Sequence, residues 1–284
     1  MRALVCASAL AVVSANAETV TVQGVNGPNG PDNSDPGGFA GNGVTGDPGT
    51  ASAGNAIDAV NKATAIGGNG GDGGDNFGDD GDPGNGGSGG VATATATSNV
   101  SGSAEADSIA TGGNGGNGGS QLNVGGGALG GVGADAKATS TAISGSGNAS
   151  ASANATGGNA DDFPGSPGNA NALATATANG GGRATAKAVA TSGTSTFPES
   201  GKVSATVYAQ STFSFNGVRS TAKVSVVTGD DSTPNAANAV AQANRSIEAV
   251  VEPASTAYSF SAVLPHKPTP PRLSATRATS PMRC

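Results

Sequence analysis

The sequence predicts an all-β protein: an irregular β-solenoid or stacked β-sheet built on a 45-residue Gly-rich/Ala-Thr repeat. Three observations predict it. Gly-Gly-Asn triplets begin at Gly67, Gly112 and Gly157, a spacing of 45 residues both times. Ala59, Ala104 and Ala149 fall in the same register, as do Ala65, Ala110 and Ala155. An internal period of this size marks a repeat architecture. Each unit also holds an alternating run of small residues, such as VATATAT over 91–97. Period two sends alternate side chains to opposite faces of a strand. Between the runs lie glycine blocks, GGNGGDGGD from Gly67 and GGNGGNGGS from Gly112, eroded to GGNADDFPG at Gly157. These are expected to be turns or long loops, since Gly enters positive φ without steric cost.

Composition argues against an ordinary globule. Of 284 residues 49 are Gly, aromatics are 3%, and there is no Trp. A compact core needs large apolar side chains, because Ala and Gly bury little area. Stability must then come from backbone hydrogen bonds and many small contacts, with partial disorder the alternative.

Residues 1–17 read as a short signal peptide. Arg2 supplies the positive start, 3–13 the apolar stretch, and Ala15-Asn16-Ala17 the small-x-small cleavage site. Export to the cell surface or beyond is the expectation. The apolar stretch falls short of the ~20 residues of a membrane span, and no other stretch approaches that length. Cleavage removes Cys6 and leaves Cys284 as the one mature cysteine, so no internal disulfide is expected.

Residues 18–49 are a Gly/Pro-rich N-terminal segment. Thr19-Val20-Thr21-Val22 is expected to form an edge or capping strand. Gly24, Gly27 and Gly30 start three Gly-X-Y triplets, but the frame fails at Asn33. Collagen needs a long unbroken run, so these triplets read as loop chemistry.

Residues 50–193 are the repeat region. Alternating runs at 91–97, 137–143, 172–178 and 184–191 predict strands with one Ala-rich and one Thr-rich face. Thr suits the pleat because its Cβ is branched. The glycine blocks have a period of three, which also permits an extended polyglycine-II-like helix resembling that of glycine-rich antifreeze proteins.

Residues 194–265 are expected to form a β-rich C-terminal cap. Six of the nine aromatics lie between Phe197 and Phe260. Runs 202–209, 221–227 and 257–264 predict strands. A further strand is expected over 211–215, with Asn216-Gly217 as its turn. Thr233-Pro234 is expected to open a helix reaching about Glu248, with Pro at its first position. Repeat stacks need such caps because end units expose core. Residues 266–284 are basic, Pro-rich and Gly-free, and are expected to be a disordered tail. A shifted reading frame would produce the same abrupt change in composition.

The formal charge is −7, yet residues 18–265 carry 20 acidic against 8 basic residues. An acidic body disfavours nucleic acid and anionic membranes, and favours solubility or cation binding. The cation candidate is Ca²⁺ at Asp72, Asp75, Asp79, Asp80 and Asp82. The stretches 67–72 and 70–75 both satisfy G-G-x-G-x-D, which resembles the start of the RTX β-roll nonapeptide. The aliphatic residue that should follow is Gly74 in the first frame and Phe77 in the second, and the next copy has Asn117 in place of Asp. Thr93, Thr95 and Thr97, with Thr139/Thr141 and Thr175/Thr177, would stack into a Thr ladder resembling that of β-solenoid ice-binding proteins. Asn99, Asn148, Asn154 and Asn244 fit the glycosylation acceptor pattern.

Catalysis has little to stand on. The one His, His266, lies in the tail and the body has no Cys, which excludes a Ser-His-Asp centre and His-ligated metal hydrolysis there. Asp161-Asp162 and Asp230-Asp231 read as turn residues. No G-K-[ST] follows the glycine runs. No enzyme activity is expected, and no cofactor beyond Ca²⁺.

Gly-Gly-Asn blocks alternating with Ala/Thr runs over about 50–193 resemble secreted bacterial glycine-rich surface proteins, PE-PGRS-like and adhesin-like. The N-terminal domain usual in the PE-PGRS family is not visible here. The resemblance implies export, an elongated repetitive fold and a passive or adhesive role. Cell-surface or matrix components and self-association are the partners expected, with no nucleic acid and no membrane span.

Overall fold

The computed structural model describes residues 17–211, apart from 55–56, 79–80, 122–126, 161–164 and 196–200, and the strand backbones 219–227, 236–242, 246–253, 257–263 and 274–275. Its strands are β1 (Ala17–Gln23), β2 (Gly49–Ala53), β3 (Val60–Ile66), β4 (Ala92–Val100), β5 (Ala104–Thr111), β6 (Ala136–Ser144), β7 (Ala149–Thr156) and β8 (Ala170–Ala178). They continue with β9 (Ala184–Thr191), β10 (Val203–Ser211), β11 (Arg219–Val227), β12 (Ala236–Gln242), β13 (Ser246–Pro253), β14 (Ala257–Val263) and β15 (Ser274–Ala275). Odd strands form one sheet in sequence order and even strands form the other. The strand pairs in both sheets are parallel, for example β5 with β7 and β4 with β6. No helix occurs among the described residues.

The protein is therefore all-β, made of two parallel sheets between which the chain alternates. Each period holds two strands; sequence patterning predicted β9 and β10 together, but β4, β6 and β8 without their odd partners and β1 without β2. The missed strands β3, β5 and β7 carry Asn, Lys, Glu, Asp and Ser at alternate positions, which hides the Ala-Thr signature. One layer consists of an odd strand, an outgoing glycine leg, a return leg and an even strand. Bonded positions in successive layers lie 43 and then 45 residues apart, falling to 35 where the legs shorten. Leg length absorbs the change, so the strands stay in register.

Alanine fills the space between the sheets. Ala94, Ala138, Ala172 and Ala205 form one inward column, and Ala106, Ala151 and Ala186 another, all at 0–1% exposure. Facing strands such as β4 and β5 bring Cα atoms within 8 Å of each other. That approach is closer than the ~10 Å of ordinary stacked sheets, which methyl-sized side chains permit. Two hydroxyls cross the seam: Ser108 and Ser140 are buried with their Oγ atoms 2.7 Å apart. Ser140 also donates to the carbonyl of Ser152, so neither hydroxyl is left unpaired.

The glycine legs are ordered main-chain bundles, and positive φ is not their purpose. Among the described glycines it occurs at Gly37, Gly54 and Gly181. In the leg 67–75 each N–H has an acceptor. Gly67, Gly70 and Gly73 donate to Thr111, Asn114 and Asn117 of the next layer, at 2.8–2.9 Å. Gly68, Gly71 and Gly74 donate to Asp47, Val44 and Gly41 in the preceding return leg, at 2.8–2.9 Å. Asn69, Asp72 and Asp75 donate to side-chain oxygens of Asn26, Asn29 and Asp32. A bonding direction that recurs every third residue is that of a three-residue-per-turn extended helix without internal hydrogen bonds. The legs thus follow the polyglycine-II-like alternative.

Close approach explains the glycines. A Cβ on Gly67, Gly70 or Gly73 would lie 1.8–1.9 Å from a carbonyl oxygen of its own return leg. One on Gly68, Gly71 or Gly74 would lie 2.0–2.1 Å from a carbonyl oxygen of the layer beneath. The remaining position of each triplet faces outward and carries Asn or Asp.

Two expectations are corrected or extended. The helix expected over 233–248 is replaced by β12 and the start of β13. Ala237, Ala239 and Ala241 pair in parallel with Ala205, Val207 and Ala209, so this segment extends the even sheet by one strand. That register outweighs the high helix propensity of Ala. Segment 194–265 continues the same two sheets, since β10 pairs with β8 and β11 with β9. Of the strand expected over 211–215, Ser211 ends β10; the rest, Asn216-Gly217 included, lies outside the described residues. In the tail, Ser274 and Ala275 pair with Val250 and Val251.

Gly71→Ala is expected to destabilise the protein by at least about 3 kcal/mol, the upper end of ordinary overpacking. Its Cβ would stand 2.0 Å from the Pro28 carbonyl oxygen. Gly102→Ala, where a Cβ meets nothing within 4 Å, should stay within about 0.5 kcal/mol. Urea unfolding of both variants checks the pair.

Candidate binding faces

Strand alternation sends every second side chain outward, and parallel register stacks those side chains into columns. On the odd sheet one column runs Gln23, Ile66, Thr111, Thr156, Thr191. Two columns away runs Thr19, Lys62, Asp107, Ser152, Lys187. Lys62 Nζ lies 3.3 Å from Asp107 Oδ2 and 3.8 Å from Glu105 Oε1. These groups are 31–48% exposed, so the contacts balance charge on the face and add little stability.

The same face continues along the outgoing legs. Three residues beyond the Thr column, Asn26, Asn69, Asn114, Asn159 and Thr194 form a ladder. Each Asn Oδ1 accepts the backbone N–H of the next member at 2.9 Å. Asn29, Asp72 and Asn117 form a second ladder, and Asp32, Asp75 and Ser120 a third, with bonds of 2.7–2.9 Å. Oδ1 is held by the neighbouring layer, so the side chain points one way and its other terminal atom faces out. The even side repeats the device with Asn42, Asn85 and Leu129. At the leg tips, Asn33 Nδ2 donates to Asn76 Oδ1, and buried Asn76 bonds the Gly38 carbonyl.

Of the residues singled out for calcium, the described ones are Asp72, Asp75 and Asp82, and these three do not converge. Asp72 and Asp75 sit in neighbouring ladders, and each carboxylate accepts a main-chain N–H of the next layer. Asp82 is exposed on the far side of the leg tip, with its carbonyl taken by Ala40 N–H. Asp79 and Asp80 lie outside the described residues. Among the described residues no three His, Cys, Asp or Glu side chains converge as a metal site would. His266 also lies outside them.

The expected Thr ladder is formed in part. Thr97, Thr141 and Thr175 are in register, as are Thr95 and Thr139. Thr93 instead meets Lys137, Thr139 meets Leu173, and Thr177 meets Ile143. The column Thr111–Thr156–Thr191 was missed because β5 and β7 carry no other outward Thr, so no Thr row shows in their sequences. The Asx ladders were missed too, although their signal is plain: Asn or Asp at every third position, repeated one period later. Of the glycosylation patterns, Asn99 and Asn154 are exposed, Asn148 accepts from Arg183 N–H, and Asn244 is outside the described residues.

No family model, curated protein or solved structure matches the chain. Among the described residues no helix is long and apolar enough to cross a membrane.

Asp72→Asn with Asp75→Asn should leave folding intact, because an Asn Oδ1 can accept the same main-chain N–H, as Asn29 does from Asp72. Far-UV circular dichroism with Ca²⁺ and with chelator should be unchanged; a β signal that needs Ca²⁺ in the unsubstituted protein and vanishes in the variant would restore calcium to the fold. A second outcome concerns Asn-Gly steps, which deamidate when the Gly nitrogen attacks the Asn side-chain carbonyl. At Asn26, Asn29, Asn42, Asn69, Asn85 and Asn114 the following Gly N–H is bonded to the next layer. Each of those Oδ1 atoms is bonded as well. Mass spectrometry should find these six sites amidated in aged folded protein and deamidated in urea.

Proposed function

We propose that this chain is a secreted or cell-surface structural and adhesive protein without catalytic activity, built as an irregular β-solenoid. The observation that carries the reading is the register. Equivalent outward side chains recur at the strand spacing of ~4.8 Å on a surface that runs from sheet to glycine leg. A ligand that is itself repetitive meets many weak identical contacts at once, and such contacts multiply into useful avidity. The Asx ladders support this, because side chains already held in one rotamer lose little entropy on binding. Residues 1–17 support export, and the resemblance to adhesin-like repeat proteins points the same way. Cell-surface or matrix components are the partners that fit.

A second reading is favoured by the columns Thr97–Thr141–Thr175 and Thr111–Thr156–Thr191: recognition of an ordered ice or mineral surface.

One set of measurements tests both. The purified full chain is incubated with insoluble chitin, cellulose, collagen and hydroxyapatite, and its thermal hysteresis is recorded. Retention on at least one matrix is expected. Deleting layer 3 (residues 104–148) should then lower retention several-fold, since it removes one tier of every column. Absence of retention everywhere, or retention indifferent to the deletion, would sink the adhesive reading. Unaltered freezing behaviour would remove ice.

A further inference from the structure

The first layer breaks the glycine rule at the positions that face away from the rest of the molecule. In layer 2 the six inward leg positions are Gly68, Gly71, Gly74, Gly84, Gly87 and Gly90. A Cβ on any of them would come within 2.2 Å of a carbonyl oxygen of layer 1, those of Val25, Pro28, Pro31, Gly41, Val44 and Asp47 in turn. Those carbonyls identify the equivalent positions in layer 1. Five of the six carry side chains there. All five are exposed, Val25 at 69% and Val44 at 50%.

The donors change in step. Gly68, Gly71 and Gly74 each donate an N–H to the layer beneath. Their layer-1 counterparts are Val25, Pro28 and Pro31, and Pro has no N–H to leave unpaired. Layer 1 therefore lacks the space that stacking requires, and two of the three N–H groups that correspond to those of Gly68, Gly71 and Gly74. It also bears β1 and β2, the edge strands of both sheets. Open parallel edges invite further strands, and proteins with such edges carry devices that refuse them.

We infer that layer 1 is a terminating cap, whose Val25, Pro28, Pro31, Val44 and Asp47 bar a second copy, or any further glycine-legged layer, from stacking on this end. The side chains occupy the place of the incoming carbonyls. Growth by head-to-tail addition is closed at this end, and contacts between copies are left to the outward columns. The prolines of the Gly-X-Y triplets thus have a structural purpose that loop chemistry does not supply.

The test adds a layer. A second copy of residues 60–103 is inserted before Ala17 of the full chain, once with native layer 1 and once with Val25→Gly, Pro28→Gly, Pro31→Gly, Val44→Gly and Asp47→Gly. Amide hydrogen exchange is read on the inserted glycine legs, because the inserted strands can pair with β1 and β2 in either chain. Exchange at least about tenfold slower in the glycine-substituted chain is expected. The five substitutions without the insert should leave exchange in legs 67–91 unchanged, which shows that the host still folds. Inserted legs protected equally in both chains, or exposed in both, would overturn the inference.

Discussion

The constraint on which this molecule depends is that main-chain N–H groups in a side-chain-free bundle must all find acceptors. In the leg 67–75 they do, three ways in rotation: to the next layer, to the preceding return leg, and to an Asx side chain. Two of those three directions bring backbone against backbone, so two of three residues must be Gly. An unpaired buried N–H would cost about 1–3 kcal/mol, while each bond made contributes about 1 kcal/mol net. Glycine also loses the most conformational entropy on ordering. The bundle is therefore worth forming only if nearly every bond is made, which favours all-or-none order within a layer.

The sheets solve the same shortage of apolar area by another route. A buried Ala contributes little transfer free energy, but Ala on both inner faces lets the sheets come close. Ser108 and Ser140 can enter this seam because they bond each other across it. Val203 and Val207 of β10 are the valines buried in this seam among the described residues. Sheet and legs are mechanically one object: each odd strand runs without interruption into an outgoing leg, and the bond from Gly67 to Thr111 is the first rung past the strand pair β3–β5.

This economy leaves the outer surface free to repeat. Charge on the odd face is locally balanced where Lys62 stands over Asp107. The Asx ladders serve two ends together, satisfying the third N–H of each triplet and holding a row of polar groups in place. A surface built in this way offers the same kind of group at successive layers.

The sequence alone determined the class and the period. Alternating Ala/Thr runs demanded strands, and Gly-Gly-Asn at constant spacing set the period, because both signals are local and backbone-driven. Runs 91–97, 137–143, 172–178 and 184–191 all lie within or on strands of the fold. Only tertiary structure decided strands β3, β5 and β7, since β5 and β7 carry polar outward residues whose partners lie 45 residues away. It decided that Ala236–Gln242 is strand, because the sheet waiting beside it outweighs local helix preference. It also decided what the glycines are for. Positive φ is a property of one residue and can be guessed from sequence, whereas a carbonyl 2 Å from an absent Cβ belongs to another layer and appears only when the layers are stacked.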